Sequence, residues 1–427
     1  MAHELLTSLI EEVSRSVYLT LRILLEAIRP QIGLACLLTR FADGFTLVPR
    51  APKKKKAWVA SSWHKLQTAA IVLFPLHFAL AQTNLAFPGA EGFGRLATGG
   101  RGGDIVHVTS LDDSGINSVR DAVSKPHRTI VFDVGGVIRL KSNLAVSSDL
   151  TIQGQTAPGE GVTFYGHSVS FSGQKNIIVR FLRFREGIAG DRGKCSVNLS
   201  NGSNMIFDHC SIEWGRWDCL GLTQGSHDIT FQFCIIGEGV DPQRFGSLSD
   251  SVTNITYSHN LWINNQSRNP KAKGRIQYYN NVVYNWGVCG LVGGHSGADH
   301  FLDALGNYFI AGPDSNTRFT GEYKATDHVF QRGNFADTDK DGKLNGREVV
   351  AADFGAGENA PTFANDLTVA PLTNATVESA QSALTNVLAQ AGCSLHRDAV
   401  DARLVDAVKS FGKRGKIIRR ESEAGVP

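Results

Sequence analysis

The sequence predicts an all-β protein, folded as a parallel β-helix with a C-terminal helical tail, from three observations. Short stretches of alternating apolar residues recur every 21 to 28 residues through the middle of the chain. No apolar pattern of period 3.6 lies between them, which argues against the helices of βαβ units. The 427 residues include 45 Gly and many Asn, a composition that predicts many turns. A repeat of this length, with one strand per unit, is typical of a solenoid.

The repeat is clearest in five stretches of nine residues, each predicted to be one strand. They are NIIVRFLRF (176–184), NMIFDHCSI (204–212), DITFQFCII (228–236), NITYSHNLW (254–262) and RIQYYNNVV (275–283), with related stretches at 149–155 and 305–311. The seventh places hold Leu182, Cys210, Cys234, Asn260 and Asn281, followed by Asn307. The three Asn residues are predicted to form a ladder of side-chain amide hydrogen bonds. The two Cys residues are predicted to be small apolar fillers of the stack.

Both ends of the chain differ from the repeats. A period of 3.6 appears near 376–391 and 398–409, which predicts helices in a tail that packs on the solenoid. Near the N-terminus, Lys53–Lys56 precede an apolar run that ends in a small-x-small pattern, the layout of a secretory signal. We therefore expect an extension or misassigned start at 1–58, a signal-like segment at 59–81, a β-helix domain at 86–350 and a tail at 351–427. Export from the cell follows from this interpretation.

Several repeats carry a charged residue at a similar distance after their seventh place. Asp191, Asp218, Asp241 and Arg268 fall at seven to nine residues beyond it, so they should lie along one edge of four successive coils. Further cations accompany them: Arg244, Lys271, Lys273 and Arg275. Carboxylates on some coils and cations on the next suit an anionic polymer together with a divalent cation.

A second candidate metal site lies at 337–348, DTDKDGKLNGRE. Its residues match the spacing of an EF-hand calcium loop at six places: Asp337, Asp339, Asp341, Gly342, Asn345 and Glu348. No helical pattern precedes it, so we expect a single loop stapled by Ca²⁺, with a structural role.

The chain resembles the pectate lyase family, the first of the polysaccharide lyase families. The resemblance rests on AFPGAEGFGRLATGGRGG (86–103), IVFDVGGVIRL (130–140), LTIQGQTAPGEGV (150–162), IIVRFLRFREG (177–187), IFDHCSIEWG (206–215) and SRNPKAKG (267–274). It implies a right-handed parallel β-helix and an enzyme that cleaves α-1,4-linked galacturonan by β-elimination.

The resemblance also implies roles for individual residues. SRNPKAKG is similar to the family's R-x-P-x-x-R/K element, which gives Arg268 the role of the base that takes the C5 proton and Lys273 that of a substrate-carboxylate ligand. Arg244 and Lys271 are further substrate-binding candidates. A Ca²⁺ ion on carboxylates of the preceding coils, here Asp191, Asp218 and Asp241, would acidify that proton. Neighbouring cations would disfavour the charge of Arg268 and so help it act as a base.

The sequence departs from the family pattern where calcium is expected. Cys195 stands at the position of a ligand Asp, and Gly221 falls near another. The cleft site is therefore either rebuilt from other acids or absent. In related pectin lyases an Arg and aromatic residues replace calcium, and Arg216 with Trp217 permits that interpretation.

Composition limits the other possibilities. A net charge of +3 is too small to indicate a nucleic-acid partner, and the seven cysteines contain no CxxC pair that would suggest zinc. We expect a monomer with no membrane association after removal of the signal. A calcium-independent pectin lyase and a non-catalytic carbohydrate-binding β-helix remain as alternatives. A glycoside hydrolase would need two carboxylates about the bond, whereas this column ends in Arg.

Overall fold

The computed structural model describes residues 85–372 and 375–424. The predicted extension (1–58) and signal-like segment (59–81) lie outside them. Within the described residues, no helix has the length and apolarity that a bilayer crossing requires. The chain folds as the predicted parallel β-helix with a C-terminal helical tail.

The strands are short, and successive coils pair them in parallel. In chain order they are β1 (Asp104–Val108), β2 (Arg128–Phe132), β3 (Gly136–Arg139), β4 (Leu144–Ala145), β5 (Leu150–Gln153), β6 (Val162–Tyr165), β7 (Val169–Ser170), β8 (Lys175–Arg180), β9 (Leu182–Arg185), β10 (Val197–Ser200), β11 (Ser203–Asp208), β12 (Ser211–Glu213), β13 (Asp218–Thr223), β14 (His227–Gln232), β15 (Ile235–Gly237), β16 (Phe245–Ser258), β17 (Leu261–Ile263), β18 (Lys271–Tyr279), β19 (Val282–Tyr284), β20 (Leu291–Val292), β21 (His300–Leu305), β22 (Tyr308–Ile310), β23 (Thr320–Gly321), β24 (Asp327–Arg332), β25 (Phe335–Asp337), β26 (Arg347–Glu348) and β27 (Thr362–Phe363).

Helices are few in the described residues. The α-helices are α1 (Val119–Ala122), α2 (Ala380–Gln390) and α3 (Ala399–Val408), and the last two confirm the predicted helical tail. Short 3₁₀ turns cover Phe93–Leu96, Gly154–Thr156, Ala351–Phe354, Gly357–Asn359 and Glu421–Glu423.

Each coil presents three strips of strand. The first strip contains β7, β10, β13 and the beginnings of β16 and β18, and the second contains β8, β11, β14 and the ends of β16 and β18. The third strip is a separate sheet that runs from β3 to β26. The loops between the third strip and the next first-strip strand border one long side of the coil.

The prediction of one strand per nine-residue repeat is wrong. Each repeat bends at its sixth residue, which has positive φ, and so contributes a second-strip strand and then a third-strip strand. These corner residues are Phe181, His209, Phe233, His259 and Asn280. The seventh residue then points into the coil, which is why an apolar or ladder-forming side chain recurs there.

The predicted Asn ladder is present and longer than expected. Asn260 Nδ2 donates to Asn281 Oδ1 at 3.0 Å, and Asn281 Nδ2 donates to Asn307 Oδ1 at 3.1 Å. Asn307 in turn donates to Asn334 at 2.9 Å, and Asn334 lies beyond the repeats from which the ladder was predicted. Cys210 and Cys234 continue the same column as free, buried thiols, as predicted.

The tail covers the outer face of the third strip. Leu384 and Val387 of α2 and Leu404 of α3 join strip residues such as Leu261 and Val282 in one buried cluster. Beside this cluster two buried arginines of β9, Arg183 and Arg185, meet carboxylates of the tail and of β12. The ion pairs join Arg183 to Asp398 and Asp401, and Arg185 to Glu213, Asp398 and Asp401.

The N-terminal motif AFPGAEGFGR packs across the second strip. A Cβ on Gly94 would lie 1.9 Å from the carbonyl oxygen of Met205, so the chain can approach the strand only with glycine there. Gly94 N donates to Thr230 Oγ1 at 2.9 Å, and Glu91 accepts from Ser258 Oγ at 2.9 Å and Tyr279 Oη at 3.1 Å. The motif is therefore tied to the solenoid by specific hydrogen bonds.

Glu91 is expected to make stability fall as pH rises. Burial raises the pKa of this carboxyl above its usual 4.5, against the opposing charge of His259, while Glu378 raises it further. The native state thus holds a proton that the unfolded chain releases above about pH 4.5. The free energy of unfolding therefore decreases as the pH rises from about 4.5 through the raised native pKa. Urea titrations at several pH values measure the free energy of unfolding, which should depend less on pH in Glu91→Gln than in the parent. Identical profiles would contradict the assignment, and exposed Glu358→Gln is the matched control.

Candidate active site

A cavity of about 500 Å³ opens over the first strip. Its floor consists of small polar side chains from β7, β10 and β13, among them Ser170, Asn198 and Thr223. The loop 186–196 adds Asp191 and Lys194, and the next coil adds Trp217 and Asp218. The floor can therefore accept hydroxyl groups, while the charged lining residues are Asp191 and Lys194 of the loop and Asp218 at the start of β13.

Arg268 stands at the edge of this cavity on the loop before β18. Its guanidinium Nη1 lies 3.2 Å from both carboxylate oxygens of Asp218, and its Cζ lies 4.2 Å from the centre of the Phe245 ring. Its backbone carbonyl accepts from Ser247 N at 2.7 Å. The side chain is 23% exposed, so it contacts Asp218 and Phe245 while part of its surface stays accessible. Phe245 was not among the predicted site residues, because its contact with Arg268 depends on the register between neighbouring coils.

Asp218 is the most buried acid of the predicted column. Its carboxylate has no exposed surface, and burial raises its pKa to about 6, although the neighbouring Arg268 lowers it. A buried carboxylate needs a positive partner to stay ionised. In this structure that partner is Arg268.

The crowded cations of the SRNPKAKG stretch are each paired with a carboxylate. Lys273 Nζ lies 2.8 Å from Asp250, and Lys271 Nζ lies 3.5 Å from Glu322. The expectation that neighbouring cations surround Arg268 is thus not what the structure shows, since its nearest charged partner is a carboxylate. Arg268 and Lys271 also line a smaller cavity of about 180 Å³.

The predicted column of acids is only partly assembled. Strand pairing aligns Asp218 with Phe245 of the next coil and Ser267 of the coil after it. Arg268 is therefore one residue beyond the aligned position, and Asp241 lies four residues before Phe245, in a loop. Asp191 and Asp218 line the same cavity, whereas Asp241 pairs with Arg244 at 3.3 Å outside it. Loop insertions shift the register here, as the differing repeat lengths allow.

The residues that could hold a cleft cation are therefore Asp191 and Asp218. Nowhere in 85–372 or 375–424 do three His, Cys, Asp or Glu side chains converge as a metal cluster. Two carboxylates on one polar cavity still fit the oxygen chemistry that Ca²⁺ prefers, with further oxygens from a bound uronate. Cys195 adds no charge to this set, because burial raises the pKa of its thiol.

Arg216 does not reach the cavity. Its Nη1 donates to the carbonyl of Gly190 at 3.0 Å and its Nε to that of Asp241 at 3.4 Å, so it ties two loops together. Trp217, by contrast, lines the cavity and is 39% exposed.

Glu186, at the start of the loop that carries Asp191, is a buried acid that sequence reasoning missed. It is fully buried beneath the loop that carries Asp191, and burial raises its pKa to about 8. Its Oε2 accepts from Arg216 N at 3.1 Å, while its Oε1 has no partner among the described groups. No pattern in the sequence separates it from the neighbouring polar residues, because its burial comes from the loop folded over it.

The loop 337–348 connects β25 to β26 as an antiparallel hairpin, with no preceding helix, as predicted. Asp337 Oδ2 accepts from Asn345 N at 3.1 Å, and Asn345 Nδ2 donates to Asp341 Oδ2 at 3.2 Å. Gly342, at the sixth place, has a φ of 91°, which suits the turn of a calcium loop. The carboxylates of Asp337 and Asp341 thus both contact Asn345, and carboxylate oxygens are ligands that fit Ca²⁺. Binding by this loop stays a prediction, together with Asp339 and Glu348.

Replacing two exposed acids of this loop should remove a calcium response. We expect calcium to raise the melting temperature of the parent but not of Asp339→Asn/Asp341→Asn, with equal values in chelator. The gain would be about 2.7 kcal/mol at a hundredfold excess over Kd, because only the native state binds the ion tightly. Differential scanning fluorimetry with Asp366→Asn as control measures it. An unchanged calcium response in the double variant would rule the loop out as the site.

Comparison with known proteins decides the family. No family profile matches the chain. A probable pectate lyase C of Aspergillus flavus is 42% identical over 353 residues, which cover 82% of this chain and 83% of the relative. The chain belongs to the pectate lyase family. It is therefore a polysaccharide lyase, as the resemblance implied.

Solved structures agree on the fold. Jun a 1, the major allergen from cedar pollen, aligns with a TM-score of 0.52 at 19% identity, over 71% of this chain and 92% of that chain. A thermostable pectate lyase, PL 47, aligns with a TM-score of 0.51 at 14% identity, over 73% and 98%. At these identities the likeness concerns the fold alone.

Proposed function

We propose that the protein is a secreted pectate lyase that cleaves α-1,4-linked polygalacturonate by β-elimination, with Arg268 as the base. The observation that carries the proposal is the position of Arg268. Its guanidinium lines the smaller cavity and pairs with Asp218, which lines the polar cavity, and it belongs to the element that resembles the family's R-x-P-x-x-R/K. The substrate class is drawn from the family.

The reaction needs a proton acceptor and positive charge beside the uronate carboxylate. The C5–H and C4–O4 bonds break, a C4–C5 double bond forms, the proton goes to Arg268 and the O4 leaving group takes a proton from solvent. Lys273 and Lys271, already poised with carboxylates, can exchange those partners for uronate carboxylates of the substrate. Arg244, which pairs with Asp241 in the loop before β16, can likewise exchange its partner for a uronate carboxylate.

Calcium is the proposed cofactor of the cleft, held by Asp191 and Asp218. Bound there, the ion would supply positive charge that stabilises the developing carbanion beside the uronate carboxylate. Asp218 would then no longer pair with Arg268, and the carboxylate that favours the charged guanidinium would be withdrawn. Asp241, outside the cavity, would join only if its loop moved.

One observation favours a second candidate, a calcium-independent pectin lyase. Trp217 is partly exposed on the cavity, where it can stack on a methyl-esterified sugar. Against it, Arg216 is committed to backbone carbonyls and does not face the substrate path.

One assay separates these functions. The enzyme, polygalacturonate and calcium should produce ultraviolet absorbance from the new double bond, and chelator should abolish it at a temperature where circular dichroism shows an intact fold. Full activity in chelator, with methylated pectin preferred, would establish the pectin lyase instead. Reducing ends without absorbance would overturn both.

Localisation and assembly are part of the same proposal. Secretion rests on the signal-like segment 59–81, the lack of a nucleic-acid partner rests on the modest net charge, and we propose that the protein is a monomer. Detection of the chain in culture medium, with a new N-terminus near residue 82, would test export.

A further inference from the structure

Positive charge is concentrated in the tail rather than spread over the protein. Eight of the 24 residues from 397 to 420 are Lys or Arg, in a chain whose net charge is only +3. The same stretch holds three carboxylates, and two of them, Asp398 and Asp401, pair with Arg185 below. Of these three carboxylates, Asp406 is the one that pairs with exposed cations of the stretch, Lys409 and Arg414.

Four of these cations line a groove of about 470 Å³ along α3. They are Arg397, Arg403, Lys409 and Arg414, and Asp406 is the carboxylate among the lining residues. Arg403 is turned towards Glu238, with its two terminal nitrogens each 2.8 Å from that carboxylate. Lys409 and Arg414 share Asp406 and are more than half exposed. The groove is therefore a concave surface with excess positive charge.

The groove continues into residues 413–420, which we call the basic strap. Tyr284 Oη donates to the carbonyl of Arg414 at one end of the strap. Farther along, Asp241 N donates to the carbonyl of Arg419 at 2.9 Å. Just beyond it, Glu421 accepts from Tyr165 Oη at 3.0 Å and from Ile188 N at 2.9 Å. The strap thus runs along the solenoid and ends beside the loops that carry Asp191 and Asp241.

Strand pairing gives the length of the solenoid that the strap follows. Tyr165 and Tyr284 belong to one column of the third strip, in which five successive pairings join β6 to β19. At about 4.8 Å per coil, this column spans roughly 24 Å. A surface of that length suits an extended polymer better than a small ion.

Three cations of the strap have no carboxylate partner within the described residues. Lys413, Arg419 and Arg420 are exposed and make no ion pair there, whereas Lys416 pairs with Glu423. Unpaired cations held close together raise the local concentration of polyanions and attract them to the surface.

We propose that the groove and the basic strap form a second binding surface for an acidic polysaccharide, continuous with the loop side of the cleft. The polyuronate is the occupant favoured by this continuity, and the inference rests on the proposed function. A long chain bound in the cleft would extend over the strap, while a short oligomer would not reach it.

The test uses Lys413→Gln/Arg419→Gln/Arg420→Gln in the full chain. We expect KM for polygalacturonate to rise at least fivefold, with kcat and the KM for trigalacturonate unchanged. The matched control, Lys125→Gln/Lys141→Gln/Lys175→Gln, removes three exposed cations elsewhere and should change none of these values.

A binding readout separates this inference from the catalytic proposal. In a non-denaturing gel that contains polygalacturonate, Arg268→Ala should be retarded, and adding the strap substitutions should reduce the retardation. A gel with fully methyl-esterified polymer should retard neither. Equal retardation of the two variants in polygalacturonate would overturn the inference, as would a loss of retardation seen only in a gel that contains DNA.

Discussion

Arg268→Ala is expected to lower turnover of polygalacturonate by at least a hundredfold. A positioned proton acceptor contributes about 10²- to 10⁴-fold to a rate, and Arg268 is the residue proposed for that role. The loss should appear in kcat, measured by ultraviolet absorbance with saturating substrate. Activity above a tenth of the parent's would remove Arg268 from the role of base.

Stability provides the control for this variant. Removal of Arg268 leaves the carboxylate of Asp218 buried and unpaired, which costs about 1–3 kcal/mol. Arg268→Ala/Asp218→Asn should recover part of that stability but none of the activity. Arg275→Ala is the matched substitution, because Arg275 also stacks on a ring, Phe301, at 4.2 Å and lies away from the cleft. It should keep full activity while losing stability.

Arg185→Met is expected to have the largest effect on stability, about 3–5 kcal/mol. Arg185 is fully buried between β12 and the tail, and its three partners are carboxylates. Removing one member of a buried ion network leaves the others uncompensated. Urea unfolding at neutral pH, followed by circular dichroism, measures the change.

The matched control replaces an exposed arginine of the same strip, Arg139 of β3, which lies over the Tyr165 ring at 5.2 Å. Arg139→Met should change stability by less than 1 kcal/mol. A triple replacement of Arg185, Glu213 and Asp401 by apolar residues of similar size should restore part of the loss, because it removes every uncompensated charge. Equal stability of Arg185→Met and the parent would mean that water already reaches the network.

The repeat in the sequence was sufficient for the fold. Alternation and spacing depend on local geometry, in which a strand must bury one face and each coil must return to the same column. The same logic placed the ladder of Asn260, Asn281 and Asn307, and a period of 3.6 placed the two tail helices. It failed at the corners, since a positive φ at residues such as His209 leaves no mark in the apolar pattern.

The candidate site was recognised in its residues but not in its partners. The spacing pointed to Arg268 and Asp218, yet not to their ion pair. Sequence reasoning alone would place Arg268 on a solvent-facing turn, where its loss costs little. Loops of unequal length set the register at this edge, which moved Asp241 outside the cavity and brought Phe245 against Arg268.

By itself, the sequence determined the parallel β-helix, the helical tail, the resemblance to pectate lyases and the residues from which the site is drawn. These follow from periodicity and from a motif, both of which are local properties of the chain. Only the tertiary structure decided which carboxylates pair with Arg268, Lys271 and Lys273, that Glu186 Oε1 is buried without a partner among the described residues, and that the basic strap ends beside the loops of the cleft. Such pairings join residues far apart in the chain, and they depend on how the coils and the tail pack in three dimensions.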